Sequence, residues 1–209
     1  MDTYGGYKRV RDAAWEILFD HHVTCLPVDL RRIVRECGIK IATYEKGERI
    51  IQSLGLEHLR VNDGFTIYVK NQWIIFYNSN NASRRRIRFS IAHELGHIFL
   101  NHKMLSTNSI FGTIFYTHEN IREEDKTVLE QEADMFAIRL LAPLCVLMDV
   151  NIRSPQKIMQ LCDIPYHLAT IRARRLSKVR KRNMIGSHPL ERQVIEQFKP
   201  FVQQIRQRQ

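Results

Sequence analysis

His93-Glu94-Leu95-Gly96-His97 sets two imidazoles four positions apart, with a carboxylate beside the first of them. On an α-helix that spacing stacks both rings on one face, about 6 Å apart at Cβ. Two histidines so placed can ligate a single zinc ion, and Glu94 then stands beside the ion as a general base. The chain has 9 histidines in 209 residues. A shuffled version of it would carry the pattern only about 0.02 times.

The flanking residues predict the helix itself. Ile87, Ile91, Leu95 and Ile98 recur at helical spacing, Ala92 and Phe99 widen the stripe, and His93 and His97 lie beside it. Asn81 or Ser83 can cap the start, and the end is expected near Asn101, His102 or Lys103.

A zinc site that does chemistry takes three protein ligands and leaves a fourth position for water. Downstream, residues 127–141 form a second helical pattern, with Leu129, Ala133, Phe136, Ala137 and Leu140 on its apolar face. Glu130 and Asp134 share another face. Glu130 is the expected third ligand, and Asp134 would accept the outer N–H of a ligating histidine and so fix its tautomer. Glu132 lies about 200° around the helix from Glu130, so only one of the two faces the metal easily. Glu130 is favoured because it alone has an aspartate four residues on.

These residues resemble a known family. His93-Glu-Leu-Gly-His97, then Glu130-Gln-Glu-Ala-Asp-x-Phe-Ala137, then Leu140-Leu-Ala-Pro143, look like the ImmA/IrrE family of zinc metallopeptidases, over roughly residues 28–143. The resemblance implies Glu130 as the third ligand. Two departures occur: Leu-Ala-Pro where the family more often has Leu-Met-Pro, and Asp134 where many members have Asn. The first touches packing, and the second suits the same hydrogen-bonding role.

Composition describes a folded chain at 44% hydrophobic residues. No run approaches the roughly 18 apolar residues of a membrane span, and the first residues lack the apolar core of an export signal. Cys25, Cys37, Cys145 and Cys162 show no ligand spacing and suit free thiols in a cytoplasmic protein. Charge divides unevenly. Residues 1–150 carry 19 basic and 19 acidic side chains, and residues 151–209 carry 13 and 3. Arg172, Arg174, Arg175 and Lys178 open a block with no acid in it, a footprint for nucleic acid or for an acidic partner, or else simply a solvated helix face.

The expected fold is α+β and zincin-like: a small, mostly antiparallel sheet on the HExxH helix, surrounded by helices, with a basic helical C-terminal segment. The domain boundary is expected at residue 150, with 1–150 as the peptidase domain and 151–209 as the basic segment. Residues 7–20 and 27–37 read as helices, and 39–45 as a strand. Residues 64–69 and 73–77 read as a hairpin, and 104–125 as a loop. Ser154-Pro155 starts a helix, and Asp163-Ile164-Pro165 turns it into a second, loosely like a helix-turn-helix. Tyr116 and His118, between the two metal helices, are of the right type to stabilise an oxyanion, though spacing selects neither.

Two functions compete. One is a zinc-dependent endopeptidase acting on a specific cytoplasmic protein. The resemblance implies a DNA-binding, helix-turn-helix repressor of a phage or mobile element as that substrate. The other is a non-proteolytic transcriptional regulator whose basic helical segment binds DNA or a partner protein. Glu94 favours the first, because a scaffold has no use for it. The oligomeric state is not legible, and no membrane partner is expected.

Overall fold

The computed structural model describes residues 3–80, 83–102, 105–109, 112–116, 123–182 and 185–207. In chain order the elements are α1 (Thr3–Asp20), α2 (Leu30–Glu36), β1 (Lys40–Thr43), α3 (Tyr44–Ser53), a 3-10 turn at Glu57–Val61, β2 (Gly64–Val69) and β3 (Gln72–Tyr77). There follow α4 (Arg84–Phe99), β4 (Leu105–Ser109), β5 (Gly112–Tyr116), α5 (Glu123–Leu141), α6 (Leu144–Asp149), α7 (Pro155–Cys162), α8 (Tyr166–Arg182) and α9 (Pro189–Gln207). The chain divides into two compact units, residues 30–134 and residues 1–29 with 135–209. That division follows packing, whereas the boundary at residue 150 follows charge.

The 30–134 unit is built on a five-stranded sheet of order β1-β3-β2-β5-β4, antiparallel except where β1 runs parallel to β3. It is the α+β, mostly antiparallel arrangement expected. The β2–β3 hairpin closes on Lys70 and Asn71, both left-handed at φ 48° and 57°. A two-residue turn of this hand matches the twist of the strands it joins.

Strand alternation gives the sheet two different faces. Phe65 and Ile67 of β2 join Phe76 of β3 in a core with Tyr44 and Ile51 of α3 and with Leu54, Leu56 and Leu59. Gly64 and Thr66, the alternate positions, face α4, as the contacts of Gly64 with Ser90 and of Thr66 with Glu94 show. Gly47 lets α3 approach the sheet: a Cβ there would sit 2.3 Å from the Phe76 ring.

Three local expectations are corrected. Residues 44–53 form a helix, capped by the Thr43 hydroxyl accepting from Lys46 N–H; the alternation through residue 45 masks its start. An antiparallel strand pair, residues 105–109 against 112–116, stands where a loop was expected. Its polar residues give no pattern, and backbone pairing of β5 to β2 places it in the sheet. Helix α2 starts at Leu30, directly after Asp29, and Gly38 ends it in the left-handed conformation at φ 65°.

The other unit is helical among its described residues, with Val10, Ala14 and Leu18 of α1, Val146 of α6, Ile158 of α7, and Val194 and Phe198 of α9 in its core. Asp163 ends α7 left-handed at φ 52°, taking the part a glycine often plays. Ile171 of α8 is exposed, because the buried line runs Leu168, Arg172, Leu176 at four-residue intervals.

Candidate active site

Helix α4 presents His93 and His97 one turn apart, and α5 presents Glu130 and Asp134 one turn apart. The structure brings all four together within the 30–134 unit. His93 Nε2 lies 3.0 Å from His97 Nε2. The Glu130 carboxylate reaches both rings, at 3.2 Å from His93 Nε2 and 3.5 Å from His97 Nε2. Ligands at zinc distances in tetrahedral array stand about 3.3 Å from one another. Two imidazole nitrogens and a carboxylate oxygen, converging at this spacing, fit a zinc ion.

The outer nitrogen of each ring is also held. Asp134 Oδ1 lies 2.8 Å from His93 Nδ1, so an Nδ1–H donated to the carboxylate leaves Nε2 for the metal. His97 Nδ1 lies 3.0 Å from His102 Nδ1, and His102 Nε2 lies 3.2 Å from Glu132 Oε2. One assignment of protons satisfies this buried chain: His97 donates to His102, and His102 donates to Glu132. Glu132 therefore does face the centre, but through His102.

Local backbone geometry puts His102 there. Helix α4 ends at Leu100, and Asn101 turns left-handed at φ 50°. The N–H groups of Asn101 and His102 then return to the carbonyls of Ile98 and His97, at 3.1 and 3.0 Å. This Schellman closure folds the chain back over its last turn. It carries the His102 ring onto the residue five positions earlier.

Charge differs sharply between the two ligating rings. Burial alone would depress His93, but the Asp134 and Glu130 carboxylates outweigh it and raise the ring to about 10. His97 is pushed down to about 3, by burial first, with the neighbouring imidazoles adding to it. His93 thus carries the extra proton in the metal-free site, and His97 is neutral.

Glu94 is 1% exposed and accepts a hydrogen bond of 2.7 Å from Thr66 Oγ1, itself fully buried. Gly64 makes room beside it: a Cβ at that position would meet Ser90 Oγ at 2.9 Å and the Phe76 carbonyl at 3.0 Å. Burial, followed by the charges of Glu94 and Asp63, raises the Tyr44 phenol well above its ordinary range. A cleft of about 220 Å³ opens over His93, Glu94 and Glu130, with Asp63, Gly64 and Phe89 in its walls.

Of the remaining candidates, Tyr116 is in β5, opposite Ile67 and Leu105; His118 and the alternative cap Asn81 lie outside the described residues. Arg174 and Lys178 are exposed on α8. Arg175 donates to the Tyr7 hydroxyl at 2.6 Å. Arg172 is not a surface contact: it is buried and donates from Nε to the Ala142 carbonyl at 2.5 Å. Sequence reasoning missed Thr66, His102 and the part played by Glu132. Of these, only the unassigned histidine just past the helix end left a signal.

A HExxH helix on a mostly antiparallel sheet, with a glutamate from the next long helix, defines the zincin-like metallopeptidase class. Residues 46–172, more than half of the chain, match the family model Peptidase_M78, the IrrE N-terminal-like domain. The chain belongs to this family of ImmA/IrrE-type metallopeptidases. The match begins later than residue 28 and runs beyond residue 150 into α8. No curated protein matches the chain.

Proposed function

We propose that the protein is a zinc-dependent endopeptidase that hydrolyses one peptide bond in a specific cytoplasmic protein. The observation that carries this reading is the convergence of His93 Nε2, His97 Nε2 and the Glu130 carboxylate beside the buried carboxylate of Glu94. Zinc held by these three groups supplies Lewis acidity, lowering the pKa of water toward ~7 and polarising a carbonyl.

The chain's own groups do the rest. Glu94 accepts the proton of the attacking water and later delivers it to the leaving amine. The Thr66 hydroxyl fixes the orientation of the Glu94 carboxylate. Asp134 and the His102–Glu132 pair hold the two imidazoles with Nε2 turned inward. An extended substrate can add to an exposed sheet edge, and the edges among the described strands are β1 and β4. The family resemblance points to a DNA-binding transcriptional repressor of a phage or mobile element as the substrate.

Glu94→Gln tests the reading. Cleavage of the cognate repressor falls by a factor of about 10² to 10⁴, while zinc content, measured by atomic emission, stays at one per chain. Retained cleavage sinks the proposed role of Glu94. Changing both His93 and His97 to Ala abolishes zinc binding altogether. A chelator-insensitive loss of repression would instead favour the non-proteolytic regulator.

A further inference from the structure

A second cluster of charge lies wholly within the helical unit. Arg139 from α5, Arg172, Arg175 and Arg182 from α8, and Lys8 and Arg11 from α1 line a cavity of about 250 Å³. Tyr7, Trp15, Leu144, Val179 and Ile185 supply the apolar walls. Glu191 is the one acid among the described lining residues, and its carboxylate accepts from the Gly186 backbone N–H at 2.8 Å. Arg11 is paired with Asp12, half-buried, Nε to Oδ1 at 2.8 Å.

The inner guanidiniums have little anionic company. Arg139 is 8% exposed, its Nη1 has no hydrogen-bond partner, and its Cζ lies 4.1 Å from the centre of the Tyr7 ring. Arg172 is 6% exposed, and its Nε partner is a neutral carbonyl. Arginine does not escape such a site by losing its proton. A buried cation without a counter-charge is costly, and two side by side are more so. The local field is visible at Tyr7: burial would raise its phenol, yet Arg139 and Arg175 bring it below its ordinary value.

We propose that this cavity binds a compact phosphate-bearing anion of two or more negative charges, seated on Arg139, Arg172 and Arg175. Guanidiniums match phosphate oxygens bidentately. The volume lies below the usual range of about 300–1000 Å³ for drug-sized ligands, which favours a diphosphate group over a peptide segment or a duplex. Trp15, beneath the Arg11 guanidinium at 4.7 Å, offers a flat apolar wall beside the charges. This inference does not rest on the peptidase reading.

The test uses the full-length protein with Trp73→Phe, which leaves Trp15 as its single tryptophan. Its fluorescence is titrated with inorganic phosphate, pyrophosphate and a nucleoside diphosphate at physiological salt. Expected is saturable binding of pyrophosphate with a Kd of about 100 µM or tighter, and weaker binding of phosphate. Arg139→Gln and, independently, the rim variant Arg175→Gln weaken it about ten-fold or more. A nucleoside diphosphate that binds more tightly than pyrophosphate identifies a nucleotide ligand, and equal binding identifies the bare diphosphate. Three results would overturn the proposal: no saturation by about 10 mM; binding unchanged in both variants, as chelation of a metal would give; or a response to duplex DNA that pyrophosphate neither shares nor displaces.

Discussion

The histidine–carboxylate cluster of the 30–134 unit and the arginine cavity of the helical unit handle buried charge in opposite ways. His93 lies between two carboxylates, with Asp134 at Nδ1 and Glu130 near Nε2, so its charge is answered from within the chain. Arg139 instead stands over a phenol ring, and Arg172 donates to a backbone carbonyl. A cluster that neutralises itself with protons is prepared for a cation that displaces them. A cluster of permanent cations is prepared for an anion. The contrast is chemical: an imidazole can release its proton near neutral pH, and a guanidinium cannot.

The largest effect expected from separating the two clusters concerns metal affinity. Asp134→Ala and Glu132→Gln each remove a carboxylate that orients a ligating ring without touching the metal, and each lowers zinc affinity about 10- to 100-fold. Competition with a chromogenic chelator measures this. Arg139→Gln, measured in the same way, leaves zinc affinity unchanged. Should Glu132→Gln bind zinc as well as the unaltered protein, the His97–His102–Glu132 chain has no orienting role.

These expectations also mark what the sequence could show. Residues 93, 97, 130 and 134 were legible because the helix has one fixed period, so spacing alone places side chains on a common face. The β2–β3 hairpin was legible from alternation, whereas β4 and β5, whose polar residues show none, were not. Residue 132 was read as turned away from the metal, and the structure sets its carboxylate against His102. Its link through His102 depends on Asn101 adopting a left-handed conformation, which a spacing rule does not contain. Thr66 was hidden for a related reason: on a strand buried on both faces, one threonine among Phe65, Ile67 and Tyr68 gives no sign of which layer it meets. The arginine cavity drew residues from α1, α5 and α8. A one-dimensional count of basic residues found the block that opens at Arg172 but placed Arg172 itself on a surface it does not reach.

A second effect sharpens the contrast through protons. His93 in the metal-free site stands at about 10 and His97 at about 3. Below pH 10 the metal must therefore displace a proton from His93, and it displaces none from His97. Zinc affinity accordingly rises by about ten-fold per pH unit up to neutrality, where only the His93 proton is displaced. At a pH of about 6.5, where water on the metal keeps its protons, binding releases close to one proton per ion. Calorimetry in two buffers of different ionisation enthalpy reads this number directly. A value near zero would show that His93 is already neutral, and that Asp134 and Glu130 do not hold a proton on it.

The smallest effect isolates positioning from metal binding. Thr66 touches Glu94 and is not among the metal-holding groups. Thr66→Val keeps the shape of a fully buried side chain but removes the donor to the Glu94 carboxylate. A hydrogen bond to a charged group contributes about 1.5 kcal/mol or more, so kcat falls at least about ten-fold. KM and zinc content stay as they were, because neither depends on where the Glu94 oxygens point. Thr66→Ser retains the hydroxyl and recovers most of the rate. A purely structural role for Thr66 predicts a different pattern, with both variants losing stability and Ser rescuing nothing. A rate in Thr66→Val equal to that of the unaltered protein would mean that the walls of the buried pocket orient Glu94 without this hydrogen bond.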